Sequence, residues 1–216
     1  MEIMDTEILE RQLAAAERAH RNHPSEMNTA RLGIVYHEVA LNLSFLTDGN
    51  YQGYARRSYD LLTELYQGSG TTPELMPFVA SYRASALALV SAETGKLKPL
   101  NRAFRLFDEA VARYAEYSYA PEFLRGSVSE NLPKLFFLKR RHAARDFGSI
   151  IDKYHSNEDY ASGKIMSFTY WAWAAQHRGK RDRSQALNYL RRAIELDPAY
   201  EAGRERAEKL LKEFQQ

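Results

Sequence analysis

The 216-residue chain predicts an all-α fold. Three observations carry that expectation. The apolar set holds 28 Ala and 24 Leu against 6 Val and 7 Ile, and strands favour β-branched residues while Ala and Leu lead the helix scale. Turn-forming residues recur along the chain, and the segments between them are mostly 12 to 22 residues long, a helical length. Small and apolar residues also recur at offsets of 0, 4 and 7, the spacing of one helical face.

Ten helices are expected, in order. The first, about 5–21, stops at Asn22-His23-Pro24, and the second, 25–47, at Asp48-Gly49-Asn50. The third, 51–67, ends on Gly68-Ser69-Gly70. Thr72-Pro73-Glu74 supplies a capping hydroxyl, a first-turn proline and a carboxylate for the helix dipole, and so opens the fourth, 73–93. Helix 98–117 follows Gly95, and 121–131 follows Ala120-Pro121. Pro133 separates that helix from 133–154, because an interior proline removes a backbone bond; a further break is a candidate near Arg140. Ser156 with Asp159 resembles a capping box for 157–177. Gly179-Lys180 precedes 182–196, and Asp197-Pro198 precedes 199–215. No linker interrupts the series, so one domain over 1–216 is expected: an N-terminal helix (1–24), about four helix pairs (25–198) and a C-terminal helix (199–216).

The 0-4-7 triplets are Ala55-Tyr59-Leu62, Ala103-Phe107-Ala110, Ala143-Phe147-Ile150 and Ala186-Leu190-Ala193, at spacings of 48, 40 and 43 residues. Two helices per period of that length is the pattern of a helical solenoid. The segment from Ala186 to Pro198 resembles the second helix and exit turn of a tetratricopeptide repeat: the small, large, small and proline positions fall on Ala186, Leu190, Ala193 and Pro198. The first-helix positions fall on Phe168, Trp171, Ala172 and Ala175. The likeness is specific over about 166–198 and looser elsewhere. It implies a right-handed superhelical α-solenoid of antiparallel helix pairs whose members bind other proteins in a concave groove. The final helix, with one apolar stripe and a charged back, suits a terminal cap.

In that register the groove face of 157–177 presents Met166, Thr169, Tyr170, Trp173, Gln176 and His177, while Phe168, Trp171, Ala172 and Ala175 pack between helices. Tyr and Trp are good anchors, offering large area with a polar handle; burial of Tyr170 and Trp173 as core under neighbouring helices is the slightly favoured reading of the two. Weaker groove candidates are Tyr82, and His37 or Tyr36. Arg125, Glu130, Asn131 and Lys134 read mainly as solvated helix surface, with a polar pocket as the minor reading. The expected partner-binding residues are therefore Tyr170, Trp173, His177, Tyr82, His37 and Asn131.

Other chemistry is poorly represented. The net charge of +2 compels no nucleic-acid or membrane reading. Two basic clusters, Lys139-Arg140-Arg141-Arg145 and Arg178-Lys180-Arg181-Arg183, read as solvated helix ends, with phosphate contact as the minor reading. The absence of cysteine removes thiol catalysis, disulfides and Cys-ligated zinc. His37-Glu38 starts like a zinc-protease helix, but Leu41 stands where a second His is needed, and His20 with His23 lacks a third ligand. No cofactor and no enzymatic activity are expected. The first ten residues carry Glu2, Asp5, Glu7 and Glu10 rather than a signal sequence, and no run of 18 apolar residues exists. A cytoplasmic location is expected, although a chain trimmed of its leader reads the same way. The expected role is non-catalytic protein or peptide binding, with self-association open. The alternatives are a carrier or sensor of a small apolar ligand and, less favoured, nucleic-acid binding.

Overall fold

A computed structural model describes residues 6–46, 53–68 and 70–215 of the chain. Among them are ten α-helices, two single 3-10 turns and no strand. The helices are α1 (Thr6–Asn22), α2 (Glu26–Leu46), α3 (Tyr54–Gln67), α4 (Met76–Thr94) and α5 (Leu97–Tyr114), then α6 (Ala120–Asn131), α7 (Phe137–Ser156), α8 (Gly163–Gln176), α9 (Arg183–Glu195) and α10 (Arg204–Gln215). The turn at Asp48-Gly49-Asn50, Ser69 and the first five residues, where the N-terminal acidic run begins, lie outside the described residues. The chain divides into two compact units, one ending at Ala115 and the other starting at Glu116.

Within each unit every helix packs on the next along the chain. All twelve residues of the four triplets are buried. They lie on α3, α5, α7 and α9, and their alanines let neighbouring backbones approach. Each unit also contains one helix that is apolar nearly all round, a pattern that requires cover on several sides. In the N-terminal unit this is α4, packed by α2, α3 and α5; in the C-terminal unit it is α8, packed by α7, α9 and α10. The C-terminal core gathers Phe147, Ile150, Met166, Phe168, Leu190 and Leu210.

Several helix limits differ from the expectation. α4 starts at Met76, not at 73, because Pro77 is tolerated only in a first turn; Leu75 N–H meets Thr72 C=O at 3.1 Å in the turn before it. Ser156 caps nothing: it is the last residue of α7 and donates to Asp152 C=O at 3.0 Å. The 157–177 segment is a 3-10 turn (Glu158–Tyr160) capped by Asn157, then α8 capped by Ser162. α7 runs unbroken through Arg140. α10 begins at Arg204 because the Asp197 carboxylate accepts the amides of Glu201, Ala202 and Arg204 at 2.8, 2.9 and 3.1 Å, holding the intervening residues in a loop. Burial works against the Asp197 charge, but these amides outweigh it and hold its pKa below the usual carboxylate range.

Candidate functional site

Pro133 organises the surface between α6 and α7. It has no N–H to continue α6 and sets Leu132 in an extended conformation, with ψ 145°. The chain then makes a 3-10 turn (Lys134–Phe136), closed by Phe136 N–H on Pro133 C=O at 2.9 Å, before α7 starts. The open carbonyls at the end of α6 are taken by Arg140, whose Nη1 donates to Glu130 C=O at 2.6 Å and also to Leu132 C=O. That bond ties the first turn of α7 to α6.

α7 buries Ala143, Asp146, Phe147, Ile150 and Ile151. Its first turn and the 3-10 turn consequently point outward. Leu135 is 72% exposed, and Phe137 and Leu138 are each 64% exposed, the highest values of any large apolar side chain among the described residues. An open groove of about 420 Å³ lies beside them, lined by Lys134, Phe137, Arg140, Arg141, Ala144 and Gln176. Residues 133–145 hold five Lys or Arg and no carboxylate. The next residue, Asp146, turns inward, where its oxygens receive Arg125 Nε and Nη2 at 2.8 and 2.7 Å; both side chains are buried. The surface therefore combines exposed apolar groups with a cationic rim.

Two of the four cations of the second basic cluster serve the fold. Arg178 Nη1 bonds Glu213 at 2.9 Å, and Arg183 donates to Phe214 C=O, so both hold α10.

The expected binding residues fall in three places. Tyr170, Trp173 and His177 do come together, through Tyr189 of α9. The Tyr170 ring lies 4.9 Å from Tyr189, Trp173 meets Tyr189 edge-on at 4.9 Å, and His177 stacks on Trp173 at 3.7 Å. Tyr170 is only 3% exposed, and its hydroxyl bonds His155 Nε2 at 3.1 Å. Burial pushes the Tyr170 pKa up to about 12. It offers no surface to a partner. Trp173 is half-buried, as is Trp171, which packs on Phe168 and carries the Arg206 guanidinium 4.9 Å from its ring centre. The expected division into an outward Trp173 and an inward Trp171 is thus replaced by two half-buried rings, because helices cover α8 on both flanks. His37 and Tyr82 also meet, edge to face at 5.0 Å, but His37 is 1% exposed and bonded to Ser85 Oγ at 2.7 Å. Asn131 is exposed and donates to Ser127 C=O of its own helix at 2.8 Å. Arg125 serves the buried ion pair rather than a polar pocket. Of the wider candidates, Lys134 and Gln176 line the groove. Leu135, Phe137 and Leu138 escaped the sequence reading, although four apolar residues enclosed by lysines and arginines were there to see.

No family model, curated protein or solved structure compared with this chain matches it. Among the described residues no helix is long and apolar enough to cross a membrane, and no group of three or more His, Asp or Glu side chains is placed to hold a metal ion.

Proposed function

We propose that this chain is a non-catalytic, tetratricopeptide-like helical-repeat protein that binds an acidic peptide segment of a protein partner over the start of α7. The repeat reading is supported by the four buried triplets in matching register and by second-neighbour packing of α2 on α4 and of α8 on α10, the stacking a solenoid needs. Glycines repeat as well: a Cβ on Gly33 of α2 would stand 2.6 Å from Leu62, and one on Gly126 of α6 3.1 Å from Phe147, each neighbour being a triplet residue.

The observation that carries the binding reading is the coincidence of Leu135, Phe137 and Leu138 with the cationic groove. Exposed apolar groups of this size mark interaction surfaces. The surrounding cations select an acidic partner and speed its approach. The Gln176 amide inside a concavity suits a peptide, which brings backbone donors and acceptors.

The test is fluorescence anisotropy with a labelled acidic peptide carrying Leu and Phe anchors, against its charge-reversed counterpart. Binding should occur only to the acidic peptide, weaken at least ~10-fold in Phe137→Ser and fall with salt. Equal binding by Phe137→Ser, or association with anionic lipid vesicles and not with the peptide, overturns the reading.

A further inference from the structure

Arg83 of α4 is a buried arginine. It is 6% exposed, and among the described residues its guanidinium makes no hydrogen bond or ion pair; Nε is fully buried and unsatisfied. The face of Tyr66 lies against it, 3.8 Å from the guanidinium carbon to the ring centre. A phenol face offsets part of the cost of burying a cation but satisfies none of its five N–H donors. A charge buried without compensation is costly.

The neighbours make the site more positive. Arg113 Nη1 donates to the Tyr66 hydroxyl at 3.0 Å, and the Tyr114 hydroxyl is hydrogen-bonded to Tyr66 as well. Arg102 lies 5.7 Å over Tyr59, and both act electrostatically on Arg83. Glu109 acts on Arg83 with the opposite sign. Burial, with Arg102 adding to it, pulls the Arg83 pKa below the ordinary arginine value, against the opposing pull of Tyr66, Tyr59 and Glu109. Two guanidinium groups, Arg83 of α4 and Arg113 of α5, thus meet on Tyr66, one at its ring face and one at its hydroxyl.

We infer that Arg83, with Arg102, Arg113 and the Tyr66 hydroxyl, forms a binding site for a phosphate group in the N-terminal unit. Phosphate suits this arrangement better than a carboxylate, because its charge of about −1.5 to −2 and its three acceptor oxygens can engage both guanidinium groups on Tyr66 at once. The unused planar fork of Arg83 matches two phosphate oxygens at once. Arg102 and Arg113 are exposed, so they guide the anion in while Arg83 holds it from below. The site belongs to a different unit from the α7 surface and stands or falls separately from it.

Calorimetric titration and thermal melts of the full chain test this, using inorganic phosphate in one arm and phenyl phosphate in the other, at constant ionic strength in chloride. Phosphate at about ten times Kd should raise Tm by a few degrees. Tighter binding of phenyl phosphate would place the group on a larger molecule, and equal binding would indicate the free ion; both support the site. Arg83→Met removes the charge while keeping the length. It should abolish the phosphate-dependent shift and melt no lower than wild type without phosphate, because an uncompensated charge has been removed. Arg113→Gln, at an exposed position, should fold normally and weaken binding at least ~10-fold. The inference is overturned if wild type shows no phosphate-dependent shift, if Arg113→Gln binds as wild type does, or if Arg83→Met retains the shift. A lower phosphate-free Tm in folded Arg83→Met would likewise overturn it, by showing that the Tyr66 contact is what Arg83 is for.

Discussion

Gly203 rests on the backbone of Ser167. A Cβ at Gly203 would stand 2.4 Å from the Ser167 carbonyl oxygen, closer than any real side chain is found, and the obstruction is backbone that cannot rotate away. Ser167 Oγ makes use of this proximity: it donates to Ala193 C=O at 2.7 Å and accepts the Gly203 amide at 3.2 Å. One hydroxyl therefore joins α8, α9 and the start of α10. Gly203→Ala should push α10 off α8 and destabilise the protein by about 1–3 kcal/mol, seen as a lower denaturant midpoint. Unchanged stability would mean that α10 docks without this contact.

The buried pair Arg125–Asp146 joins α6 to α7. Asp146→Ala leaves a guanidinium stranded in the core and should cost about 3–5 kcal/mol. Replacing both residues together, as Arg125→Met with Asp146→Leu, should cost much less, since no charge is then buried alone. Urea titrations of the two variants decide the matter; equal losses would show that the helix contact depends on the bonds themselves.

Glu130, at the end of α6, has its carboxyl pKa raised to about 7 by burial, with Arg206 and Arg140 pulling the other way. Between the ordinary glutamate value and pH 7 the folded chain holds a proton that the unfolded chain has lost. Stability should therefore fall as pH rises through that window, by at most about 1.4 kcal/mol per pH unit, and level off above it. Glu130→Gln keeps the neutral shape and should flatten this slope. Melting curves from pH 5 to 8 for both proteins measure it, and parallel profiles would assign the slope to other groups.

Trp171 and Trp173 should behave alike. Each is half-buried and held by neighbours on two elements, Phe168 and Arg206 for one, Tyr189 and His177 for the other. Replacing either with Ala should cost about 2–4 kcal/mol, somewhat below a fully buried tryptophan. Wild-type stability in Trp173→Ala alone would return that ring to the role of a partner anchor.

Helix number, approximate helix ends and the buried triplet faces were legible in the chain, because they follow from local chemistry: proline and glycine at ends, Ala and Leu between, a 3.6-residue period. The triplet helices are one-sided, so their pattern names the buried face in advance. α8 lacks that asymmetry, with apolar residues on nearly every side, and no periodicity can say which flank a neighbour covers. Its aromatic face was closed by Tyr189 of α9, which follows Trp173 by 16 residues and Tyr170 by 19. Arg125 and Arg83 look alike as isolated arginines in a helix; one met Asp146 across an interface and the other met the ring of Tyr66. Leu135, Phe137 and Leu138 would pass for core in any local reading. They face outward because Pro133 ends α6 and Arg140 pins α7 at an angle that leaves the first turn uncovered. Local composition sets what each segment becomes, but burial is a property of what arrives opposite it, and that is settled only when the distant helices pack.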